Sequence, residues 1–174
     1  MIGKFSTALA SLVVLQACST VQQTEIDKQV SAMGTCEKID ALVAGHPKGF
    51  PNLRTAQTTS KYMDVWKARY HLVGDSCQVW GWGNGKFSYV CSLTEPNKAV
   101  AMEHFDQAKE VTQQCLGESW SLKQGKRDQG EGTKAEYSVS GRNTVVTIVA
   151  ASSPTLFATE WKTYYFVGDA ADLK

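Results

Sequence analysis

The segment CQVWGWGNGKFSYVC, from Cys77 to Cys91, constrains the fold more tightly than any other stretch of the chain. It reads as two strands around a glycine-rich turn, and side chains along a strand alternate between faces. The register of the hairpin therefore decides which residues share a face. A three-residue loop, Gly83-Asn84-Gly85, sets Trp82 against Lys86 and Cys77 against Cys91. A two-residue loop, Asn84-Gly85, sets Cys77 against Ser92 and sends the two sulfurs to opposite faces. A cross-strand disulfide selects the longer loop. In that register Cys77, Val79, Phe87, Tyr89 and Cys91 form one face, and Gln78, Trp80, Trp82, Lys86, Ser88 and Val90 the other. Both faces carry large apolar groups. One of them is core; the Trp face is either covered by another element or available to a partner.

The N-terminus says where such a disulfide would form. Met1 to Lys4 carries one positive charge, and Phe5 to Leu15 is apolar except for Ser6, Thr7 and Ser11. That run is too short for a membrane span of about 20 residues but has the length of a secretory h-region. It ends in Leu15-Gln16-Ala17-Cys18, followed by Ser19-Thr20. This resembles the lipobox of bacterial lipoproteins, with Leu at −3, a small residue at −1 and Cys at +1; Gln16 stands at −2, where a small or aliphatic residue is usual. The resemblance covers only these first residues. It implies cleavage after Ala17, a lipid-bearing Cys18 and a membrane anchor of two or three acyl chains, where a single chain would be marginal. Ser19 rather than Asp implies sorting to the outer membrane of a Gram-negative bacterium, with the domain on the periplasmic face.

With Cys18 assigned to lipid, Cys36, Cys77, Cys91 and Cys115 remain, spaced by 41, 14 and 24 residues. An even set in an exported chain reads as two disulfides, and these spacings contain no CxxC pair and no zinc-ligand pattern. Thr35 is a plausible N-cap for a helix in which Cys36, Ile39, Leu42 and Val43 recur at helical spacing, stopped by Gly45 and His46-Pro47. Pro96 opens a second helix reaching Leu116, capped by Gly117, with Ala101, Phe105, Ala108, Val111, Thr112 and Cys115 on its stripe. Cys36 and Cys115 thus both fall on buried stripes, and Cys36–Cys115 is the natural second bridge beside Cys77–Cys91.

Strands are expected over Ser60 to Val73, through the Cys77–Cys91 hairpin, over Lys134 to Ser140 and Thr144 to Ala151 around Gly141-Arg142-Asn143, and from Leu156 to Val167. Gln124 to Gly132 reads as a polar loop. The expected fold is α+β: an antiparallel sheet with two helices packed on one face, in the order α-βββ-α-βββ, stapled by disulfides. The expected organisation is a signal peptide over 1–17, lipidated Cys18 and tether over 18–34, one domain over 35–168 and a fraying tail over 169–174.

Chemistry is sparsely encoded. Lys and Arg total 18 and Asp and Glu 17, a net charge of +1, which leaves no electrostatic footprint for nucleic acid. His46 sits in a helix stop, His71 shares a strand face with Lys67 and Arg69, and His104 follows Glu103 without an HExxH motif. No GxSxG elbow is present, and Gly81 to Lys86 lacks phosphate-loop spacing. No cofactor or metal is implied. Trp80 and Trp82, with Lys86 adjacent, stand out as an aromatic-plus-basic patch, because Trp is enriched at binding hot spots. The sequence reads as a non-catalytic protein-binding module of the cell envelope, an assembly factor or an inhibitor or immunity protein. The alternative is a small envelope hydrolase using His71 or an acidic pair such as Glu131 and Glu136. Cys18→Ser should release the protein from membranes into the soluble fraction; continued detergent-dependent fractionation of this variant would count against acylation.

Overall fold

The structure, a computed structural model, describes residues 25–59, 61–155 and 159–169. The signal segment, Cys18 and Ser19 lie outside the described residues. Residues 25–32, inside the expected tether, are helical (α1), with Ser31 Oγ donating to the Asp27 carbonyl at 2.8 Å. This segment belongs to a unit separate from the one that begins at Gly34. Among the described residues no helix is long and apolar enough to cross a membrane.

The second unit opens with α2, Thr35–Gly45, and a 3-10 turn, His46–Lys48. Its cap is extended Gly34 rather than Thr35: the Gly34 amide donates to the Glu37 carboxylate at 2.7 Å. Strands β1 (Arg54–Thr59), β2 (Met63–Ala68), β3 (Ser76–Trp82) and β4 (Phe87–Glu95) follow. Helix α3, Lys98–Leu116, starts where Asn97 Oδ1 accepts from the Val100 amide at 3.1 Å. It stops at Gly117, whose φ of 73° favours a residue without Cβ. Then come β5 (Ser121–Lys126), β6 (Gly132–Ser138), β7 (Thr144–Pro154) and β8 (Thr159–Asp169).

The eight strands form one antiparallel sheet ordered β1-β2-β3-β4-β8-β7-β6-β5. Each half is a four-stranded meander, and the two meet where β4 pairs with β8. The fold is α+β, as expected, but the order α-βββ-α-βββ is not matched: the described residues hold three helices and eight strands instead of two and six. The two added strands, β1 and β5, are the outer edges. Their sequences, RTAQTT and SLKQGK, are largely exposed and lack apolar alternation, so only backbone pairing to β2 and β6 makes them strands. The strand expected over 60–73 ends at Ala68. There the Arg69 amide turns to the Leu53 carbonyl at 3.0 Å, and the Tyr70 carbonyl accepts from Tyr89 Oη at 3.1 Å. Asp169, expected in the tail, pairs with Thr144 at the end of β8, next to the pair of Gly168 with Val145.

The hairpin adopts the longer loop: Cys77 pairs with Cys91, and the Trp82 amide donates to the Lys86 carbonyl at 2.9 Å across Gly83-Asn84-Gly85. Gly85 takes a φ of 79°, as the last residue of a three-residue hairpin loop requires. Cys77–Cys91 and Cys36–Cys115 are both disulfides. The first is buried; the second is not, because Cys36, in the opening turn of α2, is exposed and Cys115 half-buried. The helical stripe therefore misplaces Cys36.

One face of the sheet is core. Val79, Tyr89 and Cys91 from one meander and Ala135, Tyr137, Val146, Ile148 and Val167 from the other are fully buried together with Phe105 of α3. Three hydroxyls tie α3 to this face. Tyr137 Oη donates to the Lys109 carbonyl at 2.7 Å, Thr163 Oγ1 donates to that of Ala101 at 3.3 Å, and Tyr165 Oη lies 3.0 Å from Thr112 Oγ1. Such bonds are what permit phenols inside a core. Burial pushes the Tyr137 phenol up to about 12 and those of Tyr89 and Tyr165 higher still.

The exposure of the two bridges sets their order of reduction. Thiol attack needs access, and a thiol at a helix N-terminus is a good leaving group. Limited reduction of the native protein, followed by alkylation and mass mapping, should label Cys36 and Cys115 before Cys77 and Cys91. Labelling of all four cysteines together would mean that the chain must unfold before either bridge opens.

Candidate functional site

Alternation along each strand puts a second set of residues on the face opposite α3. Trp80 pairs with Val65 on one side and Ser88 on the other, Val90 with Phe166, Tyr164 with Val149, and Val149 with Lys134. Trp80, Trp82, Val90, Tyr164, Phe166, Val149 and Lys134 line one trough of about 330 Å³, together with Arg127, Asp128 and Gln129 of the β5–β6 loop. Five adjacent strands contribute to it, so at roughly 4.8 Å per strand spacing it crosses the sheet for about 19 Å.

The aromatic end of the trough is held by its own polar atoms. Trp80 Nε1 donates to Gln78 Oε1 at 2.8 Å and Trp82 Nε1 to Ser88 Oγ at 3.4 Å. The two indoles meet edge to face, with centroids 5.9 Å apart and planes at 79°. Trp80, Trp82, Val90 and Tyr164 are all half-buried. Phe166 is buried because its ring folds over Gly168: a Cβ there would stand 2.5 Å from Phe166 Cζ and 3.0 Å from Ser88 Oγ. The other end of the trough is charged. Lys134 Nζ lies 3.5 Å from Asp128 Oδ2 and 3.9 Å from Glu136 Oε2.

Of the residues singled out in the sequence, the structure brings Trp80 and Trp82 together and separates Lys86 from them. Lys86 Nζ lies 3.3 Å from Asp169 Oδ2, in a cleft at the end of the sheet. The basic groups of the same trough are instead Lys134 and Arg127, from the other meander, at its charged end. Tyr164 and Phe166 were missed as site residues. The parity of WKTYYFVG does mark them as sharing a face, but only the β4–β8 pairing brings that face to Trp80.

The groups weighed for hydrolysis fall apart. His71 is exposed and outside the strands. Glu131 Oε1 pairs with Lys98 Nζ at 2.6 Å, while Glu136 lies on the trough side. His104 Nδ1 lies 2.8 Å from Oε1 of buried Glu95, and His46 Nδ1 lies 2.8 Å from Thr144 Oγ1. Among the described residues no group of three or more His, Cys, Asp or Glu could hold a metal ion. No protein-family model matches the chain, and no curated protein or solved structure matches it either.

The contact between Phe166 and Gly168 gives a direct check on the trough floor. Gly168→Ala forces the ring or Ser88 to move and should cost about 1–3 kcal/mol in urea unfolding, as overpacking does. Gly83→Ala, where a Cβ meets nothing within 4 Å, should leave stability unchanged. Equal effects from the two would show that Phe166 does not lie over Gly168.

Proposed function

We propose that the protein is a lipoprotein, anchored through Cys18 in the outer membrane and facing the periplasm, whose domain binds another envelope protein through the trough-bearing face of its sheet. The observation that carries the reading is the trough itself. α3 packs on one face of the sheet, and the other offers half-buried Trp80, Trp82 and Tyr164 in a trough that crosses five strands. Aromatic side chains on a rigid sheet lose little conformational freedom on binding and are over-represented at hot spots. The indole donors already have acceptors within the chain, so a partner can desolvate this end without leaving them unpaired. The lipobox-like N-terminus and the two disulfides support the envelope assignment. An assembly factor and an inhibitor or immunity protein that occludes a toxin or wall hydrolase both need such a preformed face.

The test uses a photoreactive benzoylphenylalanine placed in living cells at one of two positions. At Tyr164, on the trough, it should crosslink an envelope protein; at Glu110, exposed on α3, it should not. Trp80→Ala/Trp82→Ala should lower the Tyr164 crosslink about tenfold or more, the effect of losing ~1.4 kcal/mol of binding energy. Crosslinking of the same partner from both positions, or a yield indifferent to the two tryptophans, would remove this face as the binding surface.

A further inference from the structure

A second concave feature lies at the sheet end where three turns converge. The corner after α2 (His46, Lys48, Gly49), the β3–β4 loop (Gly85, Lys86) and the β6–β7 loop (Gly141, Arg142, Asn143) enclose a cleft of about 870 Å³ with Thr144 and Asp169. In a chain whose net charge is only +1, this one cleft gathers Lys48, Lys86 and Arg142 against a single carboxylate, Asp169. That carboxylate serves Lys86 at 3.3 Å and lies 4.0 Å from His46 Nε2. The side chains of Lys48 and Arg142 make no ion pair or hydrogen bond with any described residue. The floor is polar and fixed: the His46 side chain is 8% exposed, and its Nδ1 lies 2.8 Å from the hydroxyl of buried Thr144.

We infer that this cleft binds a phosphomonoester, with the phosphate between Lys48, Lys86 and Arg142 and a sugar-sized polar body in the remaining volume. Three cations from three separate turns suit a doubly charged tetrahedral group, which carries about −1.5 to −2 at neutral pH. Arg presents a planar fork to phosphate oxygens, and Lys adds mobile point charges. The cleft falls within the roughly 300–1,000 Å³ typical of small-molecule sites and far exceeds what a bare phosphate fills. Its loops hang on the ends of well-paired strands, the usual location of recognition groups on a sheet scaffold.

Calorimetric titration of the full chain in phosphate-free, low-salt buffer tests this with glucose 6-phosphate, inorganic phosphate and glucose. Saturable binding is expected for glucose 6-phosphate, weaker binding for inorganic phosphate and none for glucose. Lys48→Ala and Arg142→Ala should each weaken binding about tenfold or more. Neither side chain bonds elsewhere in the described structure, so both variants should keep the wild-type Tm. Lys67→Ala, on an exposed position of β2, should bind like wild type. Cosedimentation with vesicles containing phosphatidic acid, itself a phosphomonoester, that Arg142→Ala abolishes would place the phosphate on a lipid headgroup in the same cleft. Absence of saturable binding to every phosphate probe, or equal losses from Lys67→Ala and Arg142→Ala, would overturn the inference.

Discussion

The pairing of β4 with β8 is the contact on which the rest of the molecule depends. It runs from Tyr89–Val167 to Glu95–Trp161 and joins two meanders that are otherwise separate in sequence. A four-stranded meander with one helix has too little apolar area to close a core by itself. Zipped along this seam, the two halves place Tyr89 and Cys91 beside Val167 and Tyr165 under α3. The same seam places Val90 beside Phe166 on the opposite face. Core and trough are thus two sides of one set of backbone hydrogen bonds, and a register slip of one residue would exchange them.

The parts of this arrangement that were legible in the sequence are local. Parity around Gly83-Asn84-Gly85 settles the hairpin register once the two cysteines are required to meet, because a one-residue change in loop length moves the sulfurs to opposite faces. The α3 boundaries follow from Pro96 and Gly117, whose roles need no tertiary context, while the cap itself, Asn97, was not read. Edge strands β1 and β5 were not legible. With one side toward solvent and polar side chains on both faces, they carry no hydrophobic period and are recognisable only once a partner strand is in place. Cys36 illustrates the opposite error: helical spacing assigned it to the buried stripe, yet the opening turn of α2 leaves it exposed.

The site divides in the same way. Trp80 and Trp82 follow from the hairpin alone, but their neighbours Tyr164, Phe166 and Val149 come from the far meander and depend on the seam. Lys86 was assigned to the aromatics by chain proximity. It sits at the loop end of the hairpin, however, and its flexible stem reaches Asp169 at the terminus of β8, a residue expected in a frayed tail. The positive charge of the trough comes instead from Lys134 and Arg127 of the other meander, at the end away from the tryptophans. Non-local pairing therefore decides both which cations line the trough and which cleft Lys86 enters.

The two faces also handle the polar atoms of their aromatics differently. On the core face the phenols of Tyr89, Tyr137 and Tyr165 bond to Tyr70, Lys109 and Thr112, groups outside the sheet. Removing α3 would leave the Tyr137 and Tyr165 hydroxyls unpaired at about 1–3 kcal/mol each, while Tyr89 Oη also lies 2.7 Å from Cys91 Sγ on its own strand. On the trough face the indole donors bond to Gln78 and Ser88 on the same or the neighbouring strand, so both indoles are satisfied without any covering element. The face can remain open in the free protein and still lose water to a partner without a desolvation penalty at these donors. Both properties lower the cost of the association proposed for this face, because neither indole must find a new partner when water leaves.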